Sequence, residues 1–345
     1  MQNIQYLKTF YPKATVLKKI PIVQFQNEER VYIRNDEELR DKIIGMRRRQ
    51  QQSSVDIVTD FDGTISSFYD DQRRNVSASF GIFRESKYVS ADLCKKANSL
   101  FEYYHQFETS KQYTFEVKKK MMDEWLAESM KLILQNNIDS EWLQNIINDN
   151  VFALRFGFDT FLKYSYSKNL NFIVISGGIQ DVIFYIINQI MNLSNYKNFN
   201  LIANKVFYDQ NGKVIGSSDQ LVHSHNKEIL LNRADYPQLH SSCVLLGDMP
   251  HDSFMTQYAS YTNQIKIGFA KNESDIANYK KRYDIVLHNQ GSFVSIEYLM
   301  RKIMNNQEAI PDDLQSKTKI IGPQLIKIIE DLEAKEKNIN ISFST

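Results

Sequence analysis

Residues 55–64 read Val55-Asp-Ile-Val-Thr-Asp60-Phe-Asp62-Gly-Thr64, a short β-branched apolar run that stops at two carboxylates and a glycine turn. Such a run fits a buried strand of a parallel sheet whose carboxyl end opens into a ligand crevice. Two carboxylates one residue apart leave a strand end in different directions. One can attack or bind a metal while the other handles a proton. Asp-Gly by itself is an ordinary turn; the strand, the paired acids and the hydroxyl together carry the information.

Three further apolar runs look like partner strands. Asn171-Phe-Ile-Val-Ile-Ser176 ends in Ser-Gly-Gly, Cys243-Val-Leu-Leu-Gly-Asp248 ends in Gly-Asp, and Tyr283-Asp-Ile-Val-Leu287 comes late. Helical patterns over Gln180–Met191, Lys227–Arg233 and Ser292–Met304 separate them, and the alternation predicts an α/β fold with a parallel sheet covered on both faces. The turn Asp209-Gln-Asn-Gly212, between Val206-Phe-Tyr208 and Lys213-Val-Ile215, predicts a small antiparallel hairpin. Between the first two core strands lie about a hundred residues with little strand character, too long for a simple crossover. Apolar residues recur at helical spacing over Asp92–Phe107 and Phe115–Leu134, with Ser90 and Thr114 as N-caps, and a shorter helix is predicted over Glu141–Asn148. Together they predict a helical cap over the mouth of the sheet.

The chain therefore divides into an N-terminal extension (1–54), a catalytic core (55–66 with 158–304), a helical cap (67–157) and a C-terminal tail (305–345). In the extension, Val31-Tyr-Ile-Arg34 predicts a strand, Asp36–Arg49 a charged helix and Gln50–Ser54 a loop. The tail carries one helix candidate, Pro323–Lys335. With 345 residues, 42% hydrophobic and 24% charged, the composition is that of an ordinary globular protein. A net charge of +1 gives no general attraction to nucleic acid or an anionic membrane. The run Arg47-Arg48-Arg49 reads as a solvated helix face. Cys94 and Cys243 form no disulfide framework and no Cys/His metal spacing, and no stretch approaches the roughly 20 apolar residues of a membrane span. The expected setting is cytoplasmic, with a small-molecule substrate as partner, no nucleic acid polymer and no membrane; oligomeric state is not legible.

The strand ends supply what phosphoryl transfer needs: a nucleophile, positive charge against the phosphoryl oxygens, and a proton for the leaving oxygen. Asp60 is the candidate nucleophile, forming an aspartyl-phosphate. Asp62 would protonate the leaving alkoxide and then activate water. Ser176, with the N–H groups of Gly177 and Gly178 at a helix start, suits a phosphate oxygen. Lys227 sets a fixed positive charge against phosphate and nucleophile. Asp60, Asp62, Asp248 and Asp252 are candidate ligands for Mg²⁺, with Asp248 and Asp252 both open as the direct one.

The succession of D-x-D-G-T at Asp60, Ser176, Lys227 and Gly-Asp-x-x-x-Asp at Asp248 matches, in order, the motifs of haloacid dehalogenase (HAD) phosphatases. More narrowly, Ser79-Phe-Gly-Ile-Phe83, Tyr103-Tyr104 with Glu108, Asp123-Glu-Trp125 with Ser129, Ile175-Ser-Gly-Gly-Ile-Gln-Asp-Val182, Asn226-Lys227 and Leu246-Gly-Asp248 resemble the cytosolic pyrimidine 5′-nucleotidase (type III) family. The resemblance implies a HAD-like core with an inserted cap and Mg²⁺-dependent hydrolysis of nucleoside monophosphates, pyrimidine ones preferentially. It gives Glu108 the nucleobase contact and makes Trp125 and Ser129 lining of the same pocket. The chain departs from the family in carrying Gly63 where a bulkier residue is usual, while Gly178 stands where Gly or Ala is expected. Two alternatives remain: a phosphatase of the same fold for a sugar phosphate or phosphoserine, and an interaction protein acting through its terminal extensions.

Overall fold

The computed structural model describes residues 20–24, 29–49, 54–84, 86–110, 112–136, 138–232, 238–304 and 321–342. Seven strands form the central sheet: β1 (Arg30–Ile33), β2 (Val55–Thr59), β3 (Phe172–Ile179), β4 (Phe199–Asn204), β5 (Ser242–Gly247), β6 (Asn263–Ala270) and β7 (Ile285–His288). Their spatial order is β1-β7-β6-β5-β2-β3-β4, and only β1 runs antiparallel. β2 sits between β5 and β3, and Thr59 is level with both Leu246 and Val174. That register brings Asp60, Ser176 and Asp248 out at one edge of the sheet.

Alternation divides the core in two, as a pleated strand requires. Val55 and Ile57 join a cluster with α1 (Asp36–Arg49), the helices Phe158–Ser167 and Phe293–Ile303, and α8 (Pro323–Ser342). Val58, Ile173, Ile175 and Leu245 face the other way, onto Leu230, Met255, Tyr279 and Tyr283. The described parts of the N-terminal extension and of the C-terminal tail thus pack on the sheet. β1 extends it through β7, and Leu325, Ile328, Ile329 and Leu332 of α8 are buried in the first cluster. Within the arginine run, Arg47 is half-buried and donates from Nε to Lys302 O at 2.9 Å, so the solvated face begins at Arg48.

Several elements differ from the sequence reading. The sequence marks no strand at β4 or β6, because Asn198, Asn200, Gln264 and Lys266 interrupt their apolar runs. β3 does not stop at Ser176 but continues to Ile179, where it pairs with Asn204 after a register shift. The helix after it, Gln180–Asn188, therefore starts beyond Gly177 and Gly178, whose N–H groups are not its first turn. Lys227–Asn232 is a 3₁₀ helix and not an α-helix. Arg233 and the Gln50–Ser53 part of the expected loop lie outside the described residues.

The insertion is helical: a 3₁₀ turn (Gly81–Arg84), then the helices Ala91–Thr109, Phe115–Gln135 and Ser140–Asp149. Ser90, Thr114 and Asp139 cap the three helices, each side chain accepting a backbone N–H from the first turn. The hairpin Val206–Tyr208/Val214–Ser217 braces the foot of the cap, with Val214 N donating to Ile138 O at 2.8 Å.

Candidate active site

Asp60 emerges from β2 with its N–H donating to Leu246 O at 3.0 Å. Lys227 Nζ, 6% exposed as a residue, donates to Asp60 Oδ1 at 2.6 Å and to Asp252 Oδ1 at 2.8 Å. Carboxylate oxygens of Asp60, Asp248 and Asp252 lie within 4.8 Å of one another. Burial, reinforced by the charges of Asp252 and Asp62 against the pull of Lys227, pushes the Asp60 carboxyl up to about 7. Asp248 is raised further by burial and by Asp60 and Asp252. Lys227 is held charged, above the ordinary lysine range: burial opposes its charge, but Asp252 and Asp60 outweigh it. Ionising all three carboxylates against one ammonium would leave two charges uncompensated, and this repulsion adds to burial in raising Asp60 and Asp248. An all-oxygen set of this kind fits a small hard dication such as Mg²⁺.

The Asp62 side chain lies outside that group of three. Its oxygens are taken from the cap side, Oδ1 by Ser79 N at 2.8 Å and Oδ2 by Ser79 Oγ at 2.6 Å. Burial raises the Asp62 carboxyl, and these bonds moderate the rise. Gly63 sits at φ 73°, and a side chain there would run into Asp248 and, at 2.9 Å, Phe68 Cε1. The tight turn after the paired acids thus has no room for the bulkier residue that the family resemblance leads one to expect.

Ser176 is buried and its Oγ accepts Gly178 N–H at 3.0 Å. Asn204, fully buried on β4, donates to both Gly177 O and Val222 O at 2.8 Å. It fastens the Ser176 loop to the segment that leads to Lys227.

A cavity of about 300 Å³ opens above these groups. Asp60, Asp62, Ser176, Gly177, Lys227, Asp248 and Asp252 line its core side, and Glu108, Trp125 and Ser129 line its cap side. Of the residues expected from the sequence, all but Gly178, whose N–H is spent on Ser176 Oγ, line this one space. Glu108 has its Oε1 bonded by Ser224 Oγ at 2.6 Å and its Oε2 3.3 Å from His105 Nδ1. Burial alone would raise its carboxyl, but those two partners hold it below the usual range, as a carboxylate. Trp125 lies 5.2 Å from the Phe80 ring, tilted at 57°.

Other contacts of the site carry no signal in the sequence. Ser224 is a single hydroxyl in a loop, and Ser79, though it opens the cap stretch Ser79-Phe-Gly-Ile-Phe83, gives no sign of its bonds to Asp62. Arg155, 1% exposed, donates Nε to Thr64 O at 2.8 Å, Nη1 to Gly291 O at 2.9 Å and Nη2 to Gly63 O. Its guanidinium also stands 4.1 Å over the Phe269 ring. Arg155 thus clamps the turn that follows Asp62 from beneath.

The sequence model of the pyrimidine 5′-nucleotidase (UMPH-1) family matches residues 63–304. The chain belongs to that family. It is a phosphomonoester hydrolase of the 5′-nucleotidase class on a HAD-like α/β fold. A mouse 7-methylguanosine phosphate-specific 5′-nucleotidase is 28% identical over 277 residues, 78% of this chain and 91% of the relative. The chicken protein of the same name is 30% identical over 264 residues, 74% of this chain and 90% of the relative. Among solved structures, cytosolic 5′-nucleotidase IIIB bound to cytidine superposes with a TM-score of 0.70 at 22% identity. It covers 82% of this chain and 95% of its own. Cys94 and Cys243 are both free thiols, and no helix among the described residues is long and apolar enough to cross a membrane.

Proposed function

We propose that this 5′-nucleotidase hydrolyses pyrimidine nucleoside 5′-monophosphates, CMP foremost, through an aspartyl-phosphate on Asp60. One observation carries the reading: a single cavity joins Asp60 and Lys227 to an ionised Glu108 beside Trp125. Asp60 attacks phosphorus, and the ester oxygen departs as the nucleoside 5′-hydroxyl with a proton from Asp62. Asp62 then takes a proton from water, which attacks the phosphoaspartate and releases inorganic phosphate and Asp60. Lys227 pulls Asp60 toward its nucleophilic, ionised form against burial and neutralises the incoming phosphate. Ser176 Oγ and the Gly177 N–H are placed to hold a phosphoryl oxygen. Asp60, Asp248 and Asp252 would hold Mg²⁺, whose charge offsets that of the transferring phosphoryl group.

At the far end, Glu108 is an acceptor only, so it selects a base edge that donates, such as the exocyclic amine of cytosine. Trp125 and Phe80 offer aromatic faces to the ring. A second reading, 7-methylguanosine 5′-monophosphate, is favoured by the same pairing of aromatic rings with a carboxylate, because that base is a cation with adjacent N–H donors. It is also the substrate in the names of the mouse and chicken relatives. The free thiols accord with a reducing, cytoplasmic setting.

The test is phosphate release from CMP, UMP, 7-methylguanosine 5′-monophosphate, GMP, ribose 5-phosphate and phosphoserine at matched concentrations, with Mg²⁺ and with chelator. Tenfold preference for ribose 5-phosphate or phosphoserine over every nucleotide defeats the base-recognition reading. Asp60→Asn should lose turnover by at least about 10³-fold with its fold intact; retained turnover defeats the covalent mechanism.

A further inference from the structure

Three contacts from the cap converge on one short segment of the core, residues 221–227, which ends in Lys227. Asp123 Oδ1 meets His223 Nε2 at 2.8 Å, Glu108 Oε1 accepts from Ser224 Oγ at 2.6 Å, and the Phe115 ring lies 5.8 Å from that of His225. The segment is stiff. Asn226 Oδ1 accepts His223 N at 2.9 Å while its Nδ2 donates to Leu221 O at 2.8 Å, and Asn204 Oδ1 accepts Val222 N at 2.7 Å. What the cap touches is therefore rigidly continuous with the lysine that holds the nucleophile.

Ser224 stands out because its proton has one destination. Its Oγ lies 2.6 Å from Glu108 Oε1 and 2.9 Å from His225 Nδ1. An ionised carboxylate can only accept, so the hydroxyl donates to Glu108. Its oxygen must then accept from His225, which places the imidazole proton on Nδ1. The chain His225 Nδ1–H to Ser224 O–H to Glu108 crosses from core to cap, each bond polarising the next.

We propose that Ser224 is a specificity-determining residue, fixing the Glu108 carboxylate against the base from the core side of the cap–core gap. This rests on the assignment of base recognition to Glu108. Ser224 and Glu108 come from different domains, so the base site is complete only when the cap is seated on the segment that carries Lys227. A base that satisfies Glu108 then favours the same arrangement that aligns the lysine. Ribose 5-phosphate, which presents sugar and phosphate without a base, draws nothing from this device.

The experiment compares kcat/KM for the preferred nucleotide of the panel with kcat/KM for ribose 5-phosphate, in wild type, Ser224→Ala, Ser224→Thr, Glu108→Gln and the E108Q/S224A pair. Ser224→Ala should lower the ratio by about tenfold, the effect of one charge-assisted hydrogen bond. Ser224→Thr, which keeps the donor, should stay within about twofold of wild type. The double variant should fall no lower than Glu108→Gln alone, since both remove one interaction. If Glu108→Gln lowers the ratio while Ser224→Ala leaves it within twofold, the role given to Ser224 is wrong and base recognition by Glu108 stands. If Glu108→Gln leaves the ratio unchanged, base recognition by Glu108 is wrong and the role of Ser224 falls with it.

Discussion

Two adjacent glycines, Gly177 and Gly178, should respond very unequally to the same added methyl group. A Cβ on Gly177 would meet His223 Cα and Val222 O at 3.4 Å, which is ordinary contact. A Cβ on Gly178 would overlap Ser79 Oγ and come within 2.8 Å of Ser79 Cβ and 3.1 Å of Ile183 Cδ1. Ser79 cannot simply rotate away, because it is fully buried and both its N–H and its hydroxyl are spent on Asp62. Overpacking of this kind costs about 1–3 kcal/mol, and straining two hydrogen bonds to a charged group adds about 1 kcal/mol. Gly178→Ala should therefore lose about 2–4 kcal/mol, and Gly177→Ala less than about 1 kcal/mol. A chain of 345 residues unfolds with an entropy near 0.7 kcal/mol/K at about 2.1 cal/mol/K per residue. The expected drop in Tm for Gly178→Ala is thus about 3–6 °C by calorimetry. The same substitution unseats the proposed acid/base, so kcat should fall at least about tenfold while KM changes little. A Gly178→Ala enzyme that melts within 1 °C of wild type, with at least half its kcat, would refute the argument. So would a Gly177→Ala enzyme that behaves equally badly.

Arg155→Met removes three donors from buried carbonyls of Gly63, Thr64 and Gly291, and should cost about 3 kcal/mol in urea unfolding together with a fall in kcat. A loss under 1 kcal/mol would show that the clamp is dispensable. His225 and His251 stack at 4.6 Å, and burial pushes each imidazole down to about 4. The folded protein then refuses protons that the unfolded chain takes up near 6.5, so the contribution of these two histidines to stability is constant above about pH 6.5 and is lost as pH falls toward 4. Urea midpoints at pH 7.5 and 5 should show the drop, and His251→Phe, which preserves the stack, should shrink it. An unchanged pH dependence in that variant would count against the assignment.

The sequence by itself determined the 5′-nucleotidase class, because the paired acids and Asp248 stand just past the ends of short strands, where a local pattern and its order along the chain suffice to mark them. Strand ends of a parallel sheet share one edge, so Asp60, Ser176 and Asp248 were bound to meet once the sheet was recognised. The helical cap was legible for the same local reason, from spacing and from the caps Ser90 and Thr114. What the tertiary structure alone decided lies in contacts between positions far apart in the chain and ordinary in kind. Ser224 meets Glu108 across 116 positions, and Arg155 reaches Gly63 across 92. The placement of β1 and α8 against the catalytic sheet belongs to the same class. β4 and β6 carry polar residues within their runs, so their identity as strands came from pairing and not from periodicity. A serine or a glycine acquires its meaning only from what the fold sets beside it. That is why the paired acids announced a phosphoryl-transfer site, while the groups that hold them, Ser79 above and Arg155 below, appeared only when the chain was closed around them.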